Sequence, residues 1–195
     1  MSKGSETRNR IIVKAAPLFN RKGFAGCSMQ DIVEAVGLEK GSLYGHFPTK
    51  EALAVAAFEY AWRETSGARI TKMDTVTNSI EKLKIHVNNL VSVPQFSGGC
   101  PLLNTIVDND DGNPALKKAA RDALKGWQLF LQNIVKEGQG RKEIRSDVEP
   151  EAVAALIISL FEGAMALDRL DRKSEFLKKA GKHIDLYLDT VVRRP

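Results

Sequence analysis

Polar side chains that can donate hydrogen bonds gather between residues 28 and 50 of this chain. They differ in length and reach, and they are Ser28, Gln30, Lys40, Ser42, Tyr44, His46 and Lys50. Donors of this kind bind phosphate oxygens and the acceptor atoms on the edges of nucleic-acid bases. The chemistry they indicate is therefore recognition of a polyanion.

The positive charge of the chain is concentrated in the same segment. The formal net charge is +5, from 29 Lys and Arg against 24 Asp and Glu. Residues 1–50 contain eight of those cations and four of the anions, so they carry most of the excess. A basic N-terminal module that faces a nucleic acid explains this asymmetry, although basic N-termini also occur in proteins that bind none.

The helical spacing of apolar residues predicts the elements that position these donors. A first helix bends at Pro17, whose ring removes a backbone donor, and ends at Gly23. Ser28 caps a second helix that ends near residue 35, and a third helix runs from about Lys40 to Phe47. Two short helices joined by a turn with glycine are typical of a helix-turn-helix, whose second helix enters the major groove of DNA.

The rest of the chain is also predicted to be helical, and no segment has the pattern of a strand. A connector helix at about 49–68 is apolar on two faces, as expected of a helix between two modules. After a polar loop that begins at Arg69, helices are predicted at 78–92, 101–108, 114–137, 150–170 and 173–193. The predicted fold is all-α, with a three-helix helix-turn-helix domain at 1–50 and a larger helical domain at 69–195.

No sequence pattern indicates catalysis. The chain lacks the P-loop, GxSxG, GxGxxG and HExxH patterns, and its three histidines have no second ligand at metal spacing. We therefore expect no enzyme activity, no cofactor and no metal. No stretch approaches the roughly 18 apolar residues of a membrane span, so no membrane partner is expected. With two cysteines and no N-terminal signal pattern, the cytoplasm is the expected compartment.

The chain contains the string SMQDIVEAVGLEKGSLYGHFPTKEAL, preceded by AAPLFNRKGF. This part of the sequence resembles the N-terminal domain of the tetracycline-repressor (TetR) family of bacterial transcription regulators. The resemblance covers residues 8–62, and its most specific part is Leu-Tyr-x-His-Phe-Pro-x-Lys-Glu at 43–51. It implies a regulator that binds a double-stranded, palindromic DNA operator as a homodimer. Such a protein is expected in the bacterial cytoplasm, associated with the nucleoid when bound to DNA.

The resemblance also implies roles for single residues. Ser28 would bind a phosphate at the start of the second helix, and Gln30 would face a base edge. Lys40 and Gly41 would lie nearest the bases at the start of the recognition helix. Gly45 departs from the bulky residue often found there, and its lack of a side chain allows close approach of the backbone. Phosphate contacts would come mainly from Ser42, Tyr44, His46 and Lys50.

For residues 69–195 the resemblance implies an effector-binding and dimerisation domain. Apolar stripes on the last two helices would pack against the same helices of a second copy, through Leu156, Leu160, Phe161, Leu177, Ile184 and Leu188. The candidates for lining an effector cavity, which could equally be ordinary core, are Phe96, Cys100, Leu103, Asn104, Val107, Trp127, Phe130, Phe161 and Glu162. An unidentified small molecule would then pivot the connector helix and release the repressor from its operator.

Two other modes of action stay open. Cys100 precedes Pro101 at a predicted helix N-terminus, which lowers the pKa of a thiol, so oxidation or alkylation of Cys100 could replace a reversible ligand. A buried, inert cysteine is the simpler interpretation. A purely architectural DNA-binding protein without an effector is the other alternative, and the large C-terminal domain argues against it.

Overall fold

The computed structural model describes residues 3–108, 112–171 and 175–195, and over these residues the chain is all-α, as predicted. Its helices are α1 (Lys3–Gly26), α2 (Met29–Val36), α3 (Lys40–His46), α4 (Lys50–Arg69), α5 (Ser79–Ser92), α6 (Pro101–Asp108), α7 (Pro114–Gly140), α8 (Pro150–Leu170) and α9 (Phe176–Tyr187). A 3₁₀ turn at Met73–Thr75 precedes α5, and a π-helical turn at Leu188–Val192 follows α9. The predicted start of the last helix at residue 173 lies outside the described residues.

Two compact units make up the chain. The first comprises Met1–Thr65 and Gln95–Ala123, and the second comprises Ser66–Pro94 and Leu124–Pro195. Helix α6 and the first part of α7 therefore belong to the same unit as the helix-turn-helix, although the sequence-based boundary at residue 69 assigns them to the C-terminal domain. That boundary concerns function and stays a prediction.

The core of the first unit comes from the inward faces of α1–α4, which pack as amphipathic helices do. Its buried members are Ile11, Ile12, Ala15, Ala16, Cys27, Ile32, Leu43, Phe47, Leu53, Ala57 and Ala61. Burying one large apolar side chain contributes about 1.5–3 kcal/mol, so this core stabilises the packing of the short helices α2 and α3. Phe19 and Val36 pack against it while only partly buried.

Helix α1 passes through Pro17 and departs from helical geometry at Gly23, where φ is 73° and ψ is 171°. The predicted interruption at Gly23 is therefore present, although helical structure resumes as far as Gly26. A positive φ favours glycine. The carboxylate of Asp108, at the end of α6, accepts a 2.5 Å hydrogen bond from the Phe24 N–H just after this break. Helix α6 thus contacts α1 at the break at Gly23.

The second unit buries one side of α8 against its neighbours, through Val153, Ala154, Ile157, Ile158, Phe161, Ala164 and Met165. At Gly181 of α9, an added Cβ would lie 2.8 Å from Cγ2 of Val91, so a side chain there would collide with α5. Ala180, Gly181 and Ile184 form the buried side of α9.

Helix α8 is long and apolar enough, by length and composition alone, to cross a membrane. The expectation that no stretch approaches this length was therefore wrong for residues 150–170. One such helix is weak evidence for a membrane span, because the core helix of a water-soluble domain passes the same test. The buried side of α8 within the second unit explains part of its apolar character.

Candidate DNA-binding surface and buried arginine cluster

The start of α2 is organised around Ser28, which forms a capping box with Asp31. The Ser28 hydroxyl accepts a bond of 3.0 Å from the Asp31 N–H, and the Asp31 carboxylate accepts bonds of 2.7 Å from both the N–H and the hydroxyl of Ser28. The Lys22 ammonium lies 2.6 Å from the same carboxylate, and with the Ser28 bonds it holds the pKa of Asp31 well below its usual range. A phosphate contact from Ser28 would therefore need its hydroxyl to turn away from Asp31.

A tight turn sets the angle between α2 and α3. Gly37 adopts the left-handed conformation, with φ 69° and ψ 39°, and its N–H donates to the Val33 carbonyl at 2.9 Å. This geometry favours glycine, as expected at a helix C-terminus. The buried side chains of Leu43 and Phe47 then fix the inner side of α3.

The outer side of α3 is open to solvent. Lys40, Gly41, Ser42, Tyr44 and Gly45 are exposed. A Cβ added at Gly41 or Gly45 would meet nothing within 4 Å, so the backbone of α3 is uncovered at two positions one turn apart. This is the kind of surface that a recognition helix presents to the major groove.

The remaining predicted contact residues lie at the edges of this surface. Gln30 is exposed and donates to the Glu34 carboxylate at 3.1 Å. His46 is half-buried. The Lys50 ammonium lies 4.5 Å from the centre of the Phe24 ring, a cation–π contact that places this charge near the break in α1. The contacts of all nine predicted residues with DNA stay predictions.

The predicted effector-lining residues fall into two groups, one in each unit. In the first unit, Cys100 is 1% exposed and Val107 is 73% exposed, and their role in lining a cavity stays a prediction. Asn104 donates to the carbonyls of Asn20 and Gly98 at 3.0 and 2.9 Å, which is a structural role. Phe96 makes an edge contact with the Tyr60 ring, and Leu103 is half-buried.

In the second unit, Trp127, Phe161 and Glu162 surround a residue that the sequence analysis did not single out. The guanidinium of Arg69 lies 4.4 Å from the Trp127 ring centre and 5.0 Å from that of Phe161. One oxygen of Glu162 lies 3.9 Å from it, and Arg69 is only 3% exposed. The sequence pattern predicts the start of a polar loop at Arg69, and no signal in it marks this residue as buried.

Side chains of α5 hold the backbone at the end of α4. Nδ2 of Asn89 donates to the carbonyls of Arg69 and Thr71 at 3.1 and 2.8 Å. Nε2 of His86 lies 3.0 Å from the indole nitrogen of Trp127, and Nδ1 lies 3.1 Å from the Arg69 carbonyl. Because an indole N–H can only donate, Nε2 accepts, and the proton on Nδ1 bonds to the carbonyl. Burial, aided by the Arg69 charge, lowers the pKa of His86 to about 3, so the ring is neutral.

The predicted dimer residues divide by burial. Phe161, Ile184 and Leu188 are buried within the protomer, Leu177 is half-buried, and their packing gives no support to an interface role. Leu156 and Leu160 are exposed, together with Leu167, on the side of α8 away from its buried residues. Ala152, Ala155 and Gly163 are exposed on the same helix. We call these six residues the outer face of α8.

Comparison with known proteins assigns the chain to a family. Residues 11–57 match the model of bacterial regulatory proteins of the tetR family, and residues 79–184 match the tetracyclin repressor-like C-terminal domain. The HTH-type transcriptional repressor DhaR of Mycobacterium sp. (strain GP1) is 24% identical over 86% of this chain and 85% of its own length.

Two solved structures are similar over almost their whole length. A TetR transcriptional regulator from Chloroflexus aurantiacus J-10-FL has 37% identity and a TM-score of 0.95, with 100% of both chains covered. A TetR-family regulator from Cytophaga hutchinsonii has 35% identity and a TM-score of 0.91, with 98% of both chains covered. The chain belongs to the tetR family of bacterial transcriptional regulators.

This assignment confirms the resemblance that the helix-turn-helix string indicated, and it extends the match through the C-terminal helices. The matched proteins are DNA-binding transcriptional regulators and not enzymes, which confirms the prediction that the chain does not catalyse a reaction. DNA operators are the partners of such regulators, and the regulators typically act as dimers.

Proposed function

We propose that this chain is a homodimeric repressor that reads a palindromic operator through α3 and leaves it when a small molecule binds. The observation that carries the proposal is the uncovered outer side of α3, held in place by the buried Leu43 and Phe47. A helix of this length fits the major groove, and the donors around it suit phosphates and base edges. The protein would act in the cytoplasm, at the nucleoid when bound to its operator.

The outer face of α8 supports the homodimer. Its leucines lie at 156, 160 and 167, and its smaller exposed residues lie at 152, 155 and 163, a mixture of large and small side chains that lets two helices pack closely. A two-fold dimer would bury this face and place two recognition helices about one turn of DNA apart, roughly 34 Å.

The attachment of α4 supports a response to an effector. Helix α4 begins beside the recognition helix and ends at Arg69, whose carbonyl and guanidinium are both held by side chains of the second unit. A ligand that rearranged this cluster would move the end of α4. A coupling of about 1–3 kcal/mol is enough for a 5- to 150-fold loss of operator affinity.

The alternative switch at Cys100 has less support. The thiol is 1% exposed, so an oxidant or electrophile would reach it only after a local opening of the structure. An architectural DNA-binding protein would differ from the proposed repressor because no effector would change its affinity for DNA.

The test is binding of the purified protein to its own upstream intergenic DNA and to scrambled DNA of equal length, at two salt concentrations. Saturable binding that prefers the upstream DNA would support the repressor and provide an operator for effector screening. Equal binding to both DNAs would contradict sequence-specific recognition. If no compound in a metabolite screen alters the affinity for DNA, and Cys100→Ser leaves that affinity unchanged as well, the architectural role would be favoured.

A further inference from the structure

We propose that Glu39 determines operator specificity by accepting a hydrogen bond from the exocyclic amine of a cytosine in each half-site. The inference rests on the proposed function, because it needs α3 to lie in the major groove. Glu39 is not among the DNA-binding residues predicted from the sequence, whose polar side chains are hydrogen-bond donors, whereas an ionised glutamate only accepts. It is the acidic residue that directly precedes the recognition helix.

The position of Glu39 suits contact with bases. Its backbone is extended, with φ −67° and ψ 147°, and its carbonyl accepts the first helical bond from the Leu43 N–H at 3.2 Å. Its side chain is exposed and makes no capping bond to α3. The N-terminal residues of a recognition helix are those that reach base edges, and Glu39 is next to Lys40 at that end.

The other carboxylates near this surface have local partners. Asp31 binds Ser28 and Lys22, Glu34 accepts from Gln30, and Glu51 accepts from Asn113. Within the part of the chain that the structure describes, Glu39 has neither a salt bridge nor a side-chain hydrogen bond. The side chains preferred as N-caps are Ser, Thr, Asp and Asn, and the Glu39 side chain makes no capping bond, so its carboxylate oxygens are available to a hydrogen-bond donor on DNA.

The chemistry of the groove narrows what this carboxylate can read. Beside DNA it is repelled by phosphates and by the acceptor atoms that guanine and thymine present. Adenine offers an amine, but its N7 acceptor lies alongside and would repel the second carboxylate oxygen. Cytosine presents its N4 amine as the hydrogen-bonding group in the major groove, which matches an acceptor-only side chain. Glu39 would thus select cytosine largely by rejecting the other bases.

The test is selection of binding sites from a randomised DNA duplex library with four full-length proteins: wild type, Glu39→Gln, Glu39→Ala and Glu64→Gln. The last is a control with the same change of charge. Glu64 is exposed on α4, fourteen residues after Lys50 and therefore about 21 Å along the helix axis. Circular dichroism melting checks that all four proteins are equally folded.

We expect the wild type and Glu64→Gln to select the same palindrome, with cytosine at one position of each half-site. Glu39→Ala should lose that preference by about tenfold, the order of a single mismatched base pair, and Glu39→Gln should move it towards adenine. Unchanged preferences in both Glu39 variants, or a uniform gain in affinity at all positions, would overturn the inference. A wild type that selects no motif would instead contradict the proposed function.

Discussion

The imidazole of His86 accepts a hydrogen bond of 3.0 Å from the indole N–H of Trp127, and both rings are buried. The opposite nitrogen of His86 bonds to the carbonyl of Arg69, so one neutral ring joins α5, α7 and the end of α4. Since protonation of His86 would break the bond to Trp127, this connection depends on the charge state of the ring.

Stability should therefore depend on pH through His86. Its pKa is lowered to about 3 in the folded chain, while the unfolded value is 6.5, so the unfolded state binds the proton first as the pH falls. The contribution of the neutral His86 ring to the free energy of unfolding is fully present above pH 6.5 and is lost towards pH 3. Over that range the free energy of unfolding changes by up to about 1.4 kcal/mol per pH unit. Urea unfolding at pH 7, 6 and 5 measures it.

The matched variants for this measurement are His86→Gln and His183→Gln, because His183 is exposed on α9. His86→Gln should reduce the slope of the free energy of unfolding against pH between pH 6.5 and 5, and His183→Gln should leave most of that slope. If both variants keep the wild-type slope, His86 is not the group responsible.

Replacement of Arg69 by methionine should destabilise the fold by about 3 kcal/mol, because the largely buried carboxylate of Glu162 then loses the guanidinium 3.9 Å away. Arg69→Met combined with Glu162→Gln should recover part of this loss, since no buried charge is left. Chemical denaturation of the two single variants and the double variant gives the coupling. Strictly additive losses would mean that Arg69 and Glu162 do not interact.

Lys50→Ala should weaken DNA binding about equally for all sequences and reduce the slope of log affinity against log salt by about one, as expected for the loss of a phosphate contact. Gln30→Ala should instead change the preference at one base pair. Lys125→Ala is a control for the lost charge, because Lys125 is exposed on α7 in the second unit. A salt slope for Lys50→Ala equal to that of the control would remove the phosphate role.

Leu160→Lys should shift the protein from dimer to monomer, with at least a tenfold rise in the dimer dissociation constant, because it places a charge in the outer face of α8. Sedimentation velocity over a range of concentrations measures the shift. Leu129→Lys is the matched variant, since Leu129 is an exposed leucine of α7 outside this face. Dimers of equal strength in both variants would show that the interface lies elsewhere.

The local chemistry of α2 and α3 could be predicted from sequence, because short-range interactions determine it. Ser28 caps α2, and a glycine turn separates α2 from α3. Thr49 similarly caps α4 through a 3.1 Å bond from the Ala52 N–H. Each of these features depends on neighbours within about four residues, so the local pattern contains the information.

The long-range partners could not be predicted, because periodicity shows that a helix has an apolar side but not which helix covers it. The sequence predicts the start of a polar loop at Arg69, yet this residue ends α4 and its guanidinium packs against two aromatic rings, one from α7 and one from α8. Phe161 and Leu188 have the spacing of an interface stripe, but the protomer buries them itself. The sequence alone determined the helices, their caps and the family; only tertiary packing decided which apolar and charged side chains remained available for DNA, for a second copy and for an effector.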